Sequence, residues 1–326
     1  SWTKRVTGVK SMSITHHFRD FDAFAHSVRG IECVMMLQNP TSHIWSISGV
    51  DLAGIRVQRG WLGSGNIVEG QSHSDGYLFY MPLTNGIEYS ANGRILENNV
   101  FAILEPGCEF CVSTKVAHDW CSVFVPTHKF ARGGALVEPS LGSEKMTCRV
   151  TRPNLQDANQ FRAFVGQIMT AAAKCSQFES APAATCAATE LLNVTSLVAG
   201  KRQAGEPHQK GRPRFSRQEI IRRCQEQLEE RDGELVHVEE LAAATGVSQR
   251  TLRTAFNEYL GIGPVRYLQL RQLHRVHRAL RASDPEAASV TDVLVEQGVW
   301  EFSRLALRYR RLFGELPSET LRTKKR

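Results

Sequence analysis

An internal repeat near the C-terminus limits the possible folds of this chain more than any other pattern in it. At an offset of 53 residues, the same residue types recur in the same order. The matching pairs are Leu252 and Leu305, Phe256 and Tyr309, Leu260 and Phe313, Gly261 and Gly314, Pro264 and Pro317, and Leu268 and Leu321. A repeat at fixed spacing predicts two copies of one supersecondary unit.

Each copy has the pattern of two helices joined by a tight turn. In the first copy, an apolar helix over residues 238–244 leads through Gly246 to Ser248 and a second helix. Glycine allows the positive φ of such a turn, and a serine before the next helix can cap it. Residues 290–313 repeat this order, so the sequence predicts two helix-turn-helix units.

The second helix of the first unit has one apolar face and one polar face. Val247, Leu252 and Phe256 recur at roughly helical spacing and should pack inward. Arginine can bind guanine, asparagine can bind adenine, and a threonine methyl can contact the thymine methyl. A single helix of this kind is more typical of an ordinary solvated face, but the repetition favours DNA binding. The residues expected to read bases are Gln249, Arg250, Arg253, Thr254 and Asn257.

A long helix pattern over residues 265–280 joins the two units and could hold them rigidly. Recognition helices about 34 Å apart can enter successive major grooves on one face of DNA. In the second unit Ser303, Ala306 and Leu307 occupy the positions of Arg250, Arg253 and Thr254, which favours phosphate binding over base reading. The DNA-binding residues expected there are Ser303, Arg304, Arg308 and Arg310.

This segment resembles the DNA-binding domain of the AraC/XylS family of bacterial transcription regulators. The matching motifs are residues 241–248, Gly261-x-x-Pro264-x-x-Tyr267-Leu268, the run from Gly298 to Tyr309, and Phe313-Gly314-x-x-Pro317-Ser318. Within that family the segment is most similar to the ethanolamine-operon activators. The resemblance implies a cupin-like sensor domain, a helical surface that could form a homodimer, and an activator that works with RNA polymerase on double-stranded DNA.

Length and charge support a division into two domains. The chain has 326 residues and a net charge of +7. Residues 1–200 are neutral, residues 201–214 carry +4 and residues 215–326 carry +3. We therefore predict a ligand-sensing and possible dimerisation domain over 1–200, a basic linker over 201–214 and a DNA-binding domain with two helix-turn-helix units over 215–326. The sequence lacks a membrane-spanning or secretion pattern, so we expect a cytoplasmic protein without a membrane partner.

The first domain changes from strands to helices. Between Pro40 and Pro126, short segments rich in β-branched and aromatic residues alternate with Gly-containing turns, which predicts a small antiparallel β-barrel. Residues 155–200 have the pattern of a helical pair. The predicted fold class is α+β: an N-terminal small antiparallel β-barrel with a helical pair, cupin-like by the family resemblance, and a C-terminal all-α double helix-turn-helix domain.

An effector site in such a barrel needs an apolar lining with a few polar anchors. The candidates for these polar and aromatic groups are Arg56, Gln58, Tyr77 and Tyr89. Aromatic residues also commonly fill the interior of a barrel without binding a ligand. Two ligand classes stay open. The resemblance implies a small amine or its cobalamin partner, whereas arginines such as Arg29 and Arg56 could bind a second-messenger nucleotide. No other cofactor is expected.

Zinc-ligand residue types occur near one another in Cys108, Cys111, His118 and Cys121. Buried free cysteines in strands are the commoner explanation of such a pattern. The chain has neither the His-x-His pair expected of a metal-dependent cupin enzyme nor a known catalytic motif, so we predict no enzyme, no catalytic residue and no metal. The other alternative is an architectural DNA-binding regulator that acts without a ligand.

Overall fold

The computed structural model describes residues 15–84, 87, 89–96, 101–130, 148–175, 178–199, 215–231 and 234–323. The predicted linker over 201–214 lies outside the described residues. No helix within these ranges is long and apolar enough to cross a lipid bilayer.

Two antiparallel sheets make up most of the N-terminal half. The strands are β1 (His16–Phe18), β2 (Ile31–Gln38), β3 (Trp45–Leu52), β4 (Ile55–Leu62), β5 (Gly65–Ser72), β6 (Gly76–Pro82), β7 (Tyr89–Ala91), β8 (Arg94–Leu96), β9 (Phe101–Leu104), β10 (Glu109–Thr114), β11 (His118–Pro126) and β12 (Cys148–Thr151). The first sheet has the order β1-β3-β4-β11-β6-β9-β12, and the second has the order β2-β5-β10-β7-β8. The predicted antiparallel β domain is confirmed.

The two sheets face each other, and their inner residues share one apolar core. Met35 and Phe110 of the second sheet pack in the same buried cluster as Leu78 and Trp120 of the first. Period-two alternation along each strand sends one set of side chains to this interior and the other set outward. The two sheets therefore enclose an apolar interior, which we call the cup.

Four helices accompany the sheets: α1 (Phe21–Ser27), α2 (Thr127–Phe130), α3 (Leu155–Lys174) and α4 (Pro182–Ala199). Asp20 caps α1 because its Oδ1 accepts a hydrogen bond of 2.9 Å from the backbone N–H of Asp22. The predicted helical pair packs on the outer face of the first sheet, where Phe161 and Leu191 are buried against Val57. Much of the apolar stripe of α4 thus faces its own domain.

The C-terminal half is helical. Its elements are α5 (Arg217–Glu230), α6 (Val238–Thr245), α7 (Gln249–Leu260), α8 (Pro264–Ala282), α9 (Val290–Glu296), α10 (Phe302–Phe313) and α11 (Pro317–Arg322). The repeat seen in the sequence is confirmed in the backbone. Gly261 and Gly314 end α7 and α10 in the left-handed region, with φ of 72° and 80°, where an L side chain would be strained. Pro264 and Pro317 then begin α8 and α11.

The helical half is docked on the second sheet. The Tyr267 hydroxyl donates to Oε2 of Glu69 at 3.2 Å, and the backbone N–H of Leu37 donates to Nε2 of His274 at 2.8 Å. The buried apolar cluster continues from the cup into the helices. The two halves of the chain therefore pack as one body in this structure.

Candidate nucleic-acid interface

The first helix-turn-helix unit is built by α6 and α7. Gly246 occupies the turn at φ 70°, and the Ser248 side chain accepts a hydrogen bond of 3.1 Å from the backbone N–H of Thr251. Leu252 and Phe256 are fully buried, which fixes how α7 is rotated about its axis. Both turn predictions are confirmed by this geometry.

The opposite face of α7 is available to a partner. Gln249 is half-buried, whereas the other four residues predicted to read bases are exposed: Arg250, Arg253, Thr254 and Asn257. Within the described ranges neither arginine forms an ion pair. The Thr254 hydroxyl donates to the carbonyl oxygen of Arg250 at 3.0 Å, which satisfies its polar atom inside the helix. Two uncommitted guanidinium groups and a threonine methyl are residue types suited to base edges.

The second unit, formed by α9 and α10, has the same framework. Ser289 and Asp292 form a capping box at the start of α9, and Gly298 takes the turn at φ 69°. On α10 the predicted contact residues Ser303, Arg304 and Arg310 are exposed, while Arg308 is half-buried. Arg304 donates to Oε2 of Glu301 at 3.2 Å, and such a largely exposed pair contributes little to stability.

A concentration of positive charge lies between α8 and α10. Burial lowers the pKa of Arg266, and the nearby charge of Arg308 lowers it further. Two cations held this close repel each other, and an anion between them would relieve the repulsion. The position of Arg308 is therefore suited to a phosphate.

Helix α8 holds the two units in a fixed relation. It has 19 residues, which corresponds to about 28 Å. The ring of Phe256 on α7 packs edge-on against that of Tyr267 on α8, with centroids 5.3 Å apart. Arg275 of α8 donates to the carbonyl oxygen of Gln297 at 2.8 Å in the turn of the second unit. Near the C-terminal end of α8, Nδ1 of His277 lies 2.6 Å from the hydroxyl oxygen of Tyr309. These contacts attach both units to α8.

A second candidate site lies inside the cup, where a cavity of about 60 Å³ separates the two sheets. Most of its walls are apolar side chains, such as Phe24, Met35 and Trp120. The polar groups that line it are those of Arg29, Asn66, Tyr80, His118 and Ser122. An apolar cavity with a few polar groups has the composition of a small-molecule site.

The polar groups of this cavity are held in defined states. Tyr80 stacks on Trp120 with ring centroids 5.9 Å apart, and burial raises the pKa of its hydroxyl well above the ordinary range. Burial lowers the pKa of His118, which favours the neutral ring. Its Nδ1 lies 3.0 Å from the carbonyl oxygen of Val116 and must carry the proton, so Nε2 is the acceptor of the ring.

Three of the four residues predicted for an effector, Arg56, Gln58 and Tyr77, do not line this cavity. Arg56 and Gln58 lie on its side of the first sheet, since they pair with Phe124 and Ser122, and the Gln58 side chain accepts the backbone N–H of Arg29 at 2.9 Å. Tyr77 lies on the opposite face and packs against the α3 and α4 layer. The side chain of Tyr89 lies outside the described part of the chain. The structure thus separates Tyr77 from Arg56 and Gln58.

All eight cysteines are free thiols. Cys111 and Cys121 lie on strands of different sheets, as the predicted strands require. In the described ranges, the side chains close enough together to hold a metal ion are those of Asp20, Asp22 and His277, away from these cysteines.

Comparisons with known proteins agree on the C-terminal half. Residues 241–323 match a family described as a helix-turn-helix domain. A solved structure, that of a probable AraC family transcriptional regulator from Rhodopseudomonas palustris CGA009, is 30% identical; the match covers 32% of this chain and 98% of that one, with a TM-score of 0.29. The comparisons thus support a helix-turn-helix domain of the AraC type over the C-terminal residues. It is also 35% identical over 128 residues to XylDLEGF operon transcriptional activator 1 of Pseudomonas putida, across 39% of this chain and 36% of the relative.

The chain therefore spans little more than a third of the length of that curated relative, 36%. A match that extends over both halves is to the AraC-like transcriptional activator CuxR, at 12% identity and a TM-score of 0.43, covering 80% of this chain and 93% of that one.

Sequence reasoning missed two features, one in each half of the chain. Trp300 and Leu307 are 74% and 55% exposed at the second unit, so its outward surface is partly apolar. Trp300 lies just before α10 and Leu307 lies on it, so no single helix face marks this surface in the sequence. The cavity residues Arg29 and His118 were also not assigned to an effector, because no local pattern brings them together.

Proposed function

We propose that this protein is a sequence-specific DNA-binding transcription regulator of the AraC family, controlled by a small molecule bound in its N-terminal domain. The observation that supports DNA reading is the repeated unit. Two copies are attached to one rigid helix, and each presents exposed polar or cationic side chains from its second helix. This arrangement suits two adjacent major grooves on one face of a duplex.

The two units have different tasks in this proposal. On α7, Arg250 and Arg253 reach guanine edges, while Asn257 suits adenine and the Thr254 methyl suits thymine. Gln249, which is half-buried at the start of α7, adds a further base contact at that end of the helix. On α10, Arg308 and its exposed neighbours bind phosphates and set the position of the protein on DNA; these neighbours are Ser303, Arg304 and Arg310.

The proposed effector site is the cavity between the sheets. Its walls favour a small, largely apolar molecule with one or two hydrogen-bonding groups that reach His118 or Tyr80. Among the described residues that line it, Arg29 is the only arginine, and it is exposed. One exposed cation offers little to the phosphates of a nucleotide. Of the predicted candidates, Arg56 and Gln58 are close enough to the cavity to act at its edge.

Several parts of the proposal rest on the family resemblance. These are the activator role, the contact with RNA polymerase, the likeness to ethanolamine-operon activators with an amine or cobalamin effector, and a homodimer. The division into 1–200, 201–214 and 215–326 belongs to the same proposal. Leu155 and Leu197 are 60% and 51% exposed on α3 and α4, and they could contribute to a dimer surface. Sedimentation of the full chain at micromolar concentration tests the dimer directly.

Capture of genomic fragments by the purified protein tests the main proposal. We expect enrichment of a bipartite motif whose halves lie about 10 base pairs apart, because the two units are fixed on one side of the duplex. The operon beside the motif would identify the chemistry of the effector. Retention of all fragments without a motif, lost uniformly as salt rises, would refute sequence-specific regulation.

A further inference from the structure

Docking of the two halves leaves a cleft of about 510 Å³ between the second sheet and the helices. Strands β2, β5 and β10 form its floor, and α5, α7 and α8 form its walls. It lies on the outer face of the sheet, opposite the cavity inside the cup, and Phe110 borders both spaces. Val34, Glu69 and Cys111 pair across the three strands and share that face.

Glu69 is the central residue of the cleft floor. Its Oε2 accepts the hydroxyl hydrogen of Tyr267 at 3.2 Å. Its Oε1 is buried and has no hydrogen-bond partner. A buried carboxylate oxygen without a partner loses its hydration and gains nothing in return. A donor brought by a ligand would satisfy this atom.

The charges around Glu69 leave the cleft with an excess of negative groups. Glu32, Glu109 and Glu229 also line it, and within the described ranges none of them forms an ion pair. Of the three lining arginines, Arg222 is already held by Glu219 at 2.8 Å and by Glu226. The other two are Arg271, which donates to the carbonyl oxygen of Leu228 at 2.8 Å, and Arg278 at the exposed rim.

We propose that this cleft binds a small organic cation whose ammonium or guanidinium group donates to Oε1 of Glu69. Aromatic side chains of Tyr259 and Tyr267 line the same space and suit a cation of this kind. A metal ion fits less well, because the metal-sized cluster found among the described residues is elsewhere and excludes Glu69. The site does not depend on the proposed function, since binding can be measured without DNA.

The ionisation of Glu69 makes cation binding at this site depend on pH. Burial raises the pKa of its carboxyl to about 7. The polar side chains of Tyr267 and Gln225 and the charge of Arg271 oppose that rise, and the charge of Glu229 adds to it. A cation binds the ionised form, so affinity should increase as pH rises through 7. The other ionisable groups that line the cleft are Glu32, Cys33, Glu109, Cys111, Arg222, Glu229, Tyr259, Tyr267, Arg271, His274 and Arg278.

Thermal unfolding of the full chain with 1,4-diaminobutane tests the site, with ethylammonium chloride as a second probe. At pH 8 and constant ionic strength we expect a saturable rise in Tm on the order of 5 °C at a hundred-fold excess over Kd. The neutral 1,4-butanediol should give no rise, and the diamine response should weaken at pH 6. Glu69→Gln keeps the shape of the side chain and should abolish the response. Glu190→Gln, at an exposed position on α4, is the matched control and should retain it.

A second measurement separates ligand binding from a change in folding. Calorimetric titration of diamine at pH 7, in two buffers of different ionisation enthalpy, should show proton release from the wild-type protein, because binding ionises Glu69. Equal Tm shifts for the wild-type and Glu69→Gln proteins would overturn the proposal. So would the absence of a saturable response to both cations, or binding without proton release.

Discussion

Replacement of Arg253 by alanine tests base reading by α7 most sharply. The side chain is exposed and has no ion-pair partner within the described ranges, so its loss should change the free energy of unfolding by less than about 0.5 kcal/mol. If Arg253 makes a paired contact to guanine, the variant should lose about 1–3 kcal/mol of binding free energy on the preferred site. That range corresponds to a roughly 5-fold to 150-fold rise in Kd.

Fluorescence anisotropy at fixed salt would compare the preferred duplex, a duplex changed at one base pair, and a random duplex. The Arg253→Ala protein should lose affinity for the preferred duplex and discriminate less at one position. Lys174→Ala removes one positive charge from an exposed site on α3 and should bind all three duplexes like the wild type. Equal losses of the Arg253→Ala protein on all duplexes would refute base reading by this residue.

Four further predictions follow from the same geometry. Arg308→Ala should weaken binding to every duplex and reduce the salt slope by about one, measured by anisotropy across salt concentrations; a site-selective loss would contradict phosphate binding. Leu252→Ala should cost about 2–5 kcal/mol in urea unfolding, because the side chain is fully buried, and a near-zero change would contradict the packing of α7. Burial lowers the pKa of His274 to about 3, so the unfolded chain binds more protons and wild-type stability should fall as pH drops below about 6.5; His274→Phe should flatten that decline in urea titrations. Ala102→Leu should fill the cup cavity, abolishing effector response while DNA affinity stays unchanged; retained response would place the effector elsewhere.

The helical half was largely predictable because its signals are local. Gly261 and Pro264 mark the end of one helix and the start of the next, and the same pair recurs at Gly314 and Pro317. Apolar residues between these marks recur at the helical period, which fixes the buried face without knowledge of the rest of the chain. The exposed base-reading face follows from that buried face.

The strands were harder to predict, particularly where they contain glycine. Strand β2 precedes the region from Pro40 to Pro126 in which strands are predicted, and β5 contains glycines, which local rules assign to turns. At Gly70 an added Cβ would lie 2.1 Å from the carbonyl oxygen of Glu32 on β2, so only glycine allows these strands to approach. That requirement comes from a strand nearly forty residues away in the sequence and has no local signal.

The cavity and the cleft depend on packing that sequence patterns do not specify. Alternation placed Tyr77 and Tyr80 on opposite faces of β6, but only the position of the second sheet shows that Tyr80 faces the interior. The contact between Leu37 and His274 joins residues 237 positions apart. Such contacts arise from the docking of whole domains, which periodicity cannot predict.

We propose that the two units on one rigid helix bind successive major grooves of the same DNA face. Hydroxyl-radical and methylation-interference footprinting on a captured site would test this geometry. We expect two protected segments on one face, about 10 base pairs apart, with guanine interference strongest in the half bound by α7. A single protected segment, or two segments on opposite faces of the duplex, would contradict it.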